Sequence, residues 1–483
     1  MGSKLDRQPL NEYNNIDMAA PLQLPKGAIL MNNKWRAVSA LIASAAVMIS
    51  TASCSEKNKK TPTETKPAES TTETPKTTSK PTGSMEITWL ADYDLNRSEG
   101  ERPTALAIFE DVYGGKVNYV QTSPENKLSK LEEMLAAGEE VDMFPYEDGV
   151  FPEGISRNLF QPLDPYFEEL GMEEDGLWDD MKDIAEKFTY KGQHYVVPYA
   201  LSEPYLLTYS RALFSSEGLD DPYTLYKEGK WDWNAFTGMV NKFTESETTA
   251  HHFGISGFYG EAILASTGHT VINFDGNSFT NNIGDPYIES AEALMNDFRV
   301  RWLYNSYWSD MYLHDQNTLF YCSRDWSLPI SDKYNADYDI MVVPFPKTPG
   351  ADKNYINCKA NARMLVNNST KGSAVATYLK CERLAVTELK DSAKERALKG
   401  ITEEQYNAVQ DYLDPAKVAP VFDFGYGMSP RMYGNGYYTF ETRGVMDNIT
   451  SVLLESGNPC NNWGDLRDRL SPIIDEELAK YSG

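Results

Sequence analysis

The chain of 483 residues carries 45 Lys and Arg against 71 Asp and Glu, a formal net charge of −26. With 41% hydrophobic and 24% charged residues it has globular composition, and its length calls for two or three lobes rather than one core. The acid excess argues against a nucleic-acid partner, which needs clustered Lys and Arg, and against binding anionic lipid through a basic face.

Residues 1–30 form an upstream extension of unknown role, and Met31 is a second candidate start. Lys34 and Arg36 precede an apolar run from Ala37 to Ile49, and Thr51-Ala52-Ser53-Cys54 follows. This is the layout of a secretory signal, and the run is too short for a permanent membrane span. Small residues directly before Cys54 resemble the bacterial lipobox, with Thr51 where Leu, Val or Ile is usual. Residues 31–54 are therefore read as a lipoprotein signal ending at a lipidated Cys54; the alternative is ordinary cleavage after Ala52. Residues 55–84 hold nine Thr, six Lys and four each of Pro, Glu and Ser, with one Ala as the only aliphatic side chain. Such a segment buries nothing to offset its ordering entropy and is expected to be a disordered tether.

From Met85 the pattern becomes that of alternating strands and helices. Residues 86–91, 116–121 and 141–144 are predicted strands. Between them, 103–112 and 124–137 are predicted helices, the second closed by Gly138. This β-α-β-α-β order implies a parallel sheet with ligands beyond its carboxyl ends, where Asp92, Asp94, Tyr146, Glu147 and Asp148 fall. Further strands are expected at 195–199, 205–209, 338–345 and 362–366. Helices are expected from Arg211, at 234–243 behind an Asp232 cap, and at 371–388, 439–455 and 463–480.

Several chemistries find no support. GxSxG, HExxH and Walker A patterns are absent. Asp92-x-Asp94-x-Asn96 opens like a calcium loop, but Arg97 replaces the turn glycine and Pro103 the bidentate Glu. His251, His252 and His269 lack metal-ligand spacing. No CxxC pair occurs among the five Cys. Cys322, Cys358, Cys381 and Cys460 allow two disulfides or four buried thiols. No metal and no cofactor is expected. Trp231 and Trp233, at a helix start, read as packing residues.

The body from Met85 to Gly483 resembles the family 1 extracellular solute-binding proteins, sugar-capturing lipoproteins that serve ABC importers. The likeness rests on an ordered series. Trp89 stands in the opening strand, and Lys130-Leu-Glu-Glu-Met-Leu-Ala-Ala-Gly138 precedes Val141-Asp-Met-Phe144. Asn158-Leu-Phe-Gln-Pro-Leu-Asp164, Lys191-Gly-Gln-His-Tyr-Val-Val-Pro198 and Leu207-Thr-Tyr-Ser210 follow. Gly229-Lys-Trp-Asp-Trp-Asn234 and Val343-Pro-Phe-Pro346 complete it.

The resemblance implies an α/β, two-lobed periplasmic-binding-protein-like fold of type II, each lobe a mainly parallel sheet flanked by helices. Residues 85–199 with 347–395 would form the first lobe and 200–346 with 396–483 the second. The hinge would lie near Ala200 and Val343. It implies a non-catalytic monomer delivering a carbohydrate to ABC permease subunits, held at the outer face of the cytoplasmic membrane by its lipid. Sugar faces stack on rings while hydroxyls need carboxylate, amide or guanidinium partners. By position the ligand residues would be Tyr146, Asp148, Glu203, Trp326, Tyr259, Asp92 (or Asp94) and Tyr437 (or Tyr438). Arg431 either clamps an acidic sugar or caps a loop. The alternatives are an exported glycosidase or lyase, a binder of ferric iron, peptide or polyamine, and an adhesion protein.

Overall fold

Two four-stranded sheets, each backed by helices, organise the body of the protein. The computed structural model describes residues 83–96, 102–147, 149–174, 176–245, 252–257, 259–298, 317–328, 339–348, 351, 353–434, 443–451, 460 and 462–481. The chain divides into two units, Met1–Ser79 and Lys80–Gly483, and all described residues fall in the second. The signal segment, Cys54 and all but the last two residues of the tether lie outside the described residues.

In chain order the strands are β1 (Glu86–Ala91), β2 (Lys116–Gln121), β3 (Met143–Pro145), β4 (Thr189–Tyr190), β5 (Gln193–His194), β6 (Ala200–Ser202), β7 (Tyr205–Ser210) and β8 (Phe253–Gly257). They continue with β9 (Ile272–Phe274), β10 (Phe279–Asn281), β11 (Thr318–Arg324), β12 (Ile340–Pro344), β13 (Asn354–Asn357), β14 (Lys359–Asn361), β15 (Arg363–Leu365) and β16 (Val418–Val421).

The first sheet has the order β15-β3-β1-β2, with β1 parallel to both β2 and β3 and β15 antiparallel to β3. Its register is fixed by the buried positions Ile87, Trp89 and Leu90 of β1. Helices Thr104–Asp111 and Gly372–Val386 pack together beside it. Asp142, fully buried, pegs the start of β3 in place. Its carboxylate accepts the Thr88 N–H at 2.7 Å and the Ser369 hydroxyl at 2.6 Å. Such bonds are what make a buried carboxylate tolerable. Helix Lys127–Ala137 ends at Gly138, whose φ of 70° suits a residue without Cβ.

The second sheet has the order β12-β7-β11-β8. Here β8 and β11 are parallel, but β7 runs against both β11 and β12. Three of its strands, β8, β11 and β12, therefore share one direction and β7 alone is reversed, so each sheet is mainly parallel with one strand running against the rest, as expected. The reason is topological: β7 brings the chain in at Tyr205, directly opposite Arg324 where β11 ends, so it must run the other way. Between the sheets, β6 pairs antiparallel with β14, and β13 pairs parallel with β16.

The predicted strand at 195–199 does not form. Pro198 lacks a ladder N–H, and the pairing falls on β5 before it and β6 after it. The return segment starts one residue past Val343, which lies inside β12 opposite Leu207, and the chain leaves the sheet after Pro344. Asp232 caps helix Trp233–Glu245 by accepting the Ala235 N–H at 2.9 Å, and Trp231 and Trp233 are core residues.

Candidate functional site

The carboxyl ends of β1 and β3 and the edge of the second sheet where β7 begins frame a cavity of about 470 Å³. That volume is in the range of small-molecule sites. The first wall carries Tyr93 after β1, Tyr146 and Glu147 after β3, and Arg363 at the start of β15. Crossing segments contribute Glu203, Asn357, Lys359 and Asn361. The second wall carries Glu261 and Arg324, and residues 421–427 add Phe422, Asp423, Phe424 and Tyr426.

Charge in the first wall is organised by Lys127, buried at 8% side-chain exposure. Its ammonium donates to Asp92 at 3.0 Å and to Glu147 at 2.6 Å, tying the loops after β1 and β3 together. Burial works against this charge, yet Glu147 and Asp92 outweigh it and hold the Lys127 pKa above its ordinary value. Arg363 donates to Glu382 at 3.0 Å and lies between the rings of Trp89 and Tyr199, at 5.2 and 5.4 Å from their centroids.

In the second wall Arg324 lies 4.0 Å over the Tyr205 ring, donates to the Glu203 carbonyl at 2.6 Å, and stands 3.7 Å from Glu261. Glu203 itself has a φ of 49°, uncommon for a residue with Cβ. Its carboxylate is 2.9 Å from the Lys359 ammonium, so it ties the crossing strands together at the cavity edge. Burial, reinforced by Glu203, pushes the neighbouring Asp325 carboxyl up to about 6. Burial likewise raises Asp423 to about 6, although it accepts N–H bonds from Gly425, Val271 and Ile272.

One flank of the cavity is sealed by rings. Phe151 meets Phe424 at 5.0 Å and Phe274 at 6.0 Å, and Phe188 meets Phe422 at 5.0 Å. Main-chain closeness supports the seam: Gly149 N–H donates to the Tyr426 carbonyl at 2.9 Å, and a Cβ at Gly427 would lie 1.6 Å from the Phe151 carbonyl oxygen.

Of the residues singled out in the sequence, Tyr146 and Glu203 line the cavity. Asp92 stands behind it, bound to Lys127. Trp326 is not among the lining residues; it stands two residues beyond Arg324, 49% exposed, and so is not filling the core. Two expectations are corrected. Tyr259 is 2% exposed and packs edge-on against Phe298 at 5.6 Å, so it offers no open ring face. Arg431 lies away from the cavity lining and pairs with Glu476 at 2.8 Å on the C-terminal helix Trp463–Leu478, because that helix presents two adjacent carboxylates to it. Asp148, Tyr437 and Tyr438 lie outside the described residues.

Sequence reasoning did not single out Glu261, Arg363, Asp423 and Tyr426, which line the cavity. They come from three separate parts of the chain, and no local motif announces them. Cys322, Cys358, Cys381 and Cys460 are buried thiols, and no cluster of three or more metal-type ligands occurs among the described residues. No helix among the described residues is long and apolar enough to cross a membrane.

Residues 104–380, more than half of the chain, match the family of bacterial extracellular solute-binding proteins. The chain belongs to that family. Its members are binding proteins that work outside the cytoplasm. A comparison with curated proteins returned no match. Among solved structures, the sugar-binding protein MalE from Xanthomonas citri is similar at TM-score 0.61 and 14% identity, over 82% of this chain and 98% of that one. The galacto-N-biose-/lacto-N-biose I-binding protein of an ABC transporter from Bifidobacterium longum gives TM-score 0.59 and 14% identity, over 83% and 98%. UgpB from Mycobacterium tuberculosis, in complex with glycerophosphocholine, gives 0.57 and 14%, over 82% and 100%. At such identities the likeness carries the two-lobed fold.

Proposed function

We propose that this solute-binding protein captures a sugar or oligosaccharide in the cavity between its lobes and hands it to the permease subunits of an ABC importer. The observation that carries this is the mixed lining of the cavity: ring faces interleaved with carboxylates, amides and guanidinium groups from both walls. Rings suit the CH faces of a sugar, and the polar groups suit its hydroxyls. Tyr146, Tyr93 and Tyr426 are the candidate stacking or edge groups. Glu203, Glu261, Asn361 and Arg324 are the candidate hydroxyl partners. Trp326 extends the surface past Arg324 as a platform for a longer chain. The sugar-binding neighbours support this reading, whereas the glycerophosphocholine complex names the competitor to test against.

A thermal-shift panel of maltose, maltotetraose, lacto-N-biose and glycerophosphocholine tests it, because a ligand that binds only the native state raises Tm by linkage. A rise with at least one carbohydrate, and none with glycerophosphocholine, is expected. No shift with any carbohydrate at millimolar concentration would falsify the reading. In the same proposal the protein acts as a monomer tethered by lipid on Cys54. Cys54→Ser is then expected to move it from the membrane to the soluble fraction with an unchanged Tm, and retention in the membrane counts against the anchor.

A further inference from the structure

Two hydrogen-bond donors at the cavity have nothing to donate to. The Tyr426 hydroxyl and the Arg363 Nε–H are both buried, and neither has a hydrogen-bond partner among the described residues. Both residues line the same cavity, Arg363 from the start of β15 and Tyr426 from the short 3-10 helix Phe424–Gly427 after β16. Each of the two terminal nitrogens of the Arg363 guanidinium makes one bond, to Glu382 at 3.0 Å and to the Ala362 carbonyl at 3.2 Å. A buried donor without an acceptor is destabilising, so a fold that keeps two of them at one cavity calls for an explanation.

We propose that Tyr426 and Arg363 are specificity-determining donors, held in reserve for oxygen atoms of the bound solute. The inference rests on the carbohydrate reading and deepens it by naming the atoms recognised. The Arg363 Nε–H can only donate and the Tyr426 hydroxyl can donate or accept, so the solute must bring at least one acceptor, and a solute hydroxyl satisfies both. Three carboxylates in the same lining already stand beside cations, Glu147 with Lys127, Glu203 with Lys359 and Glu261 near Arg324, so none of these supplies the missing acceptor. On the carbohydrate reading the acceptors are neutral oxygens of the solute: a hydroxyl, a ring ether or a glycosidic bridge. Both donor atoms are buried on residues that line the cavity, so the bound solute must reach them there. A site that supplies unmatched donors then rejects an analogue lacking the oxygen, because the donors stay unpaired.

The decisive variant is Tyr426→Phe, which removes one oxygen and keeps the ring. Titration calorimetry of the full chain with maltotetraose, and with lacto-N-biose as second probe, gives Kd; melting without sugar gives apo stability. Expected is a Kd roughly tenfold weaker for whichever probe binds, with an apo Tm unchanged or slightly raised because an unpaired buried hydroxyl is gone. Arg363→Lys, which keeps a cation near Glu382 without an Nε–H, is expected to weaken binding in the same direction. Equal affinity of Tyr426→Phe and wild type overturns the inference while leaving the carbohydrate reading intact. So does a clear fall in apo Tm, which means the hydroxyl is already bonded without solute. Wild-type protein that binds neither sugar overturns both.

Discussion

In the first wall of the cavity a buried lysine, Lys127, holds Asp92 and Glu147, and the Arg363 guanidinium is fixed by Glu382 between two rings. In the second wall Arg324 stands 3.7 Å from Glu261, while Trp326, two residues on and outside the lining, is half open to solvent. The first wall is assembled by the same bonds that hold its sheet ends together. In the second, Arg324 also packs on the Tyr205 ring and holds the Glu203 carbonyl, and it is the Trp326 ring beside it that is left half exposed. Stability and affinity should therefore respond together to changes in the first wall and separately to changes at Trp326.

The largest effect is expected at Trp326. If its ring faces the solute, Trp326→Ala removes a contact of the hot-spot kind and weakens binding by roughly 2–4 kcal/mol. Apo Tm should barely move, since a side chain that exposed contributes little to the core. Calorimetric titration and apo melting of one sample decide the matter: normal affinity with a large fall in Tm would contradict the separation of roles.

Lys127→Met probes the other wall. Two carboxylates would be left facing each other without their shared cation, a loss of two charge-assisted bonds worth roughly 2 kcal/mol of stability at these part-exposed sites. Urea unfolding should show that loss. Glu147 is then released, and sugar affinity should fall several-fold alongside. Unchanged affinity in a destabilised Lys127→Met protein would show that the fixed wall does not preorganise the site.

How much of this was legible in the sequence follows the range of the interactions. Strands β1 and β2 and the helix Lys127–Ala137 with its Gly138 stop are set by local periodicity and caps, and they stand close to where the sequence places them. Tyr146 was reachable because it directly follows a predicted strand, and Glu203 through its place at the crossover that the resemblance implies. Arg363 and Tyr426 were not, since each matters only through partners brought in by the crossing strands from elsewhere in the chain. Tyr259 misled for the same reason. Its place after a strand is right for a ligand ring, but helix Gly260–Ser266 and Phe298 turn that place into core. The reversed direction of β7 likewise depends on where the chain re-enters the second sheet, which periodicity does not encode.

The last effect is confined to acidic pH and concerns Asp423, which joins the ring-sealed flank to β9 through the Val271 and Ile272 N–H groups. Burial raises its carboxyl to about 6 in the folded protein, against roughly 3.9 in an unfolded chain. The folded state thus holds this proton more tightly than the unfolded state between those values. The stability contributed by the group is fully present below about 4 and is lost as pH rises through about 6. Many other carboxylates titrate over the same window, so the comparison must be with Asp423→Asn, which cannot ionise. Replacing an acceptor oxygen by an amide shifts the variant's stability by an amount that does not depend on pH. The slope of the difference therefore isolates the ionisation. Wild-type stability relative to Asp423→Asn should decline by roughly 2 kcal/mol between pH 4 and pH 6.5, then level off. A difference that is flat with pH, or that grows toward neutrality, would mean the three N–H bonds outweigh burial and the carboxylate is the favoured form in this wall.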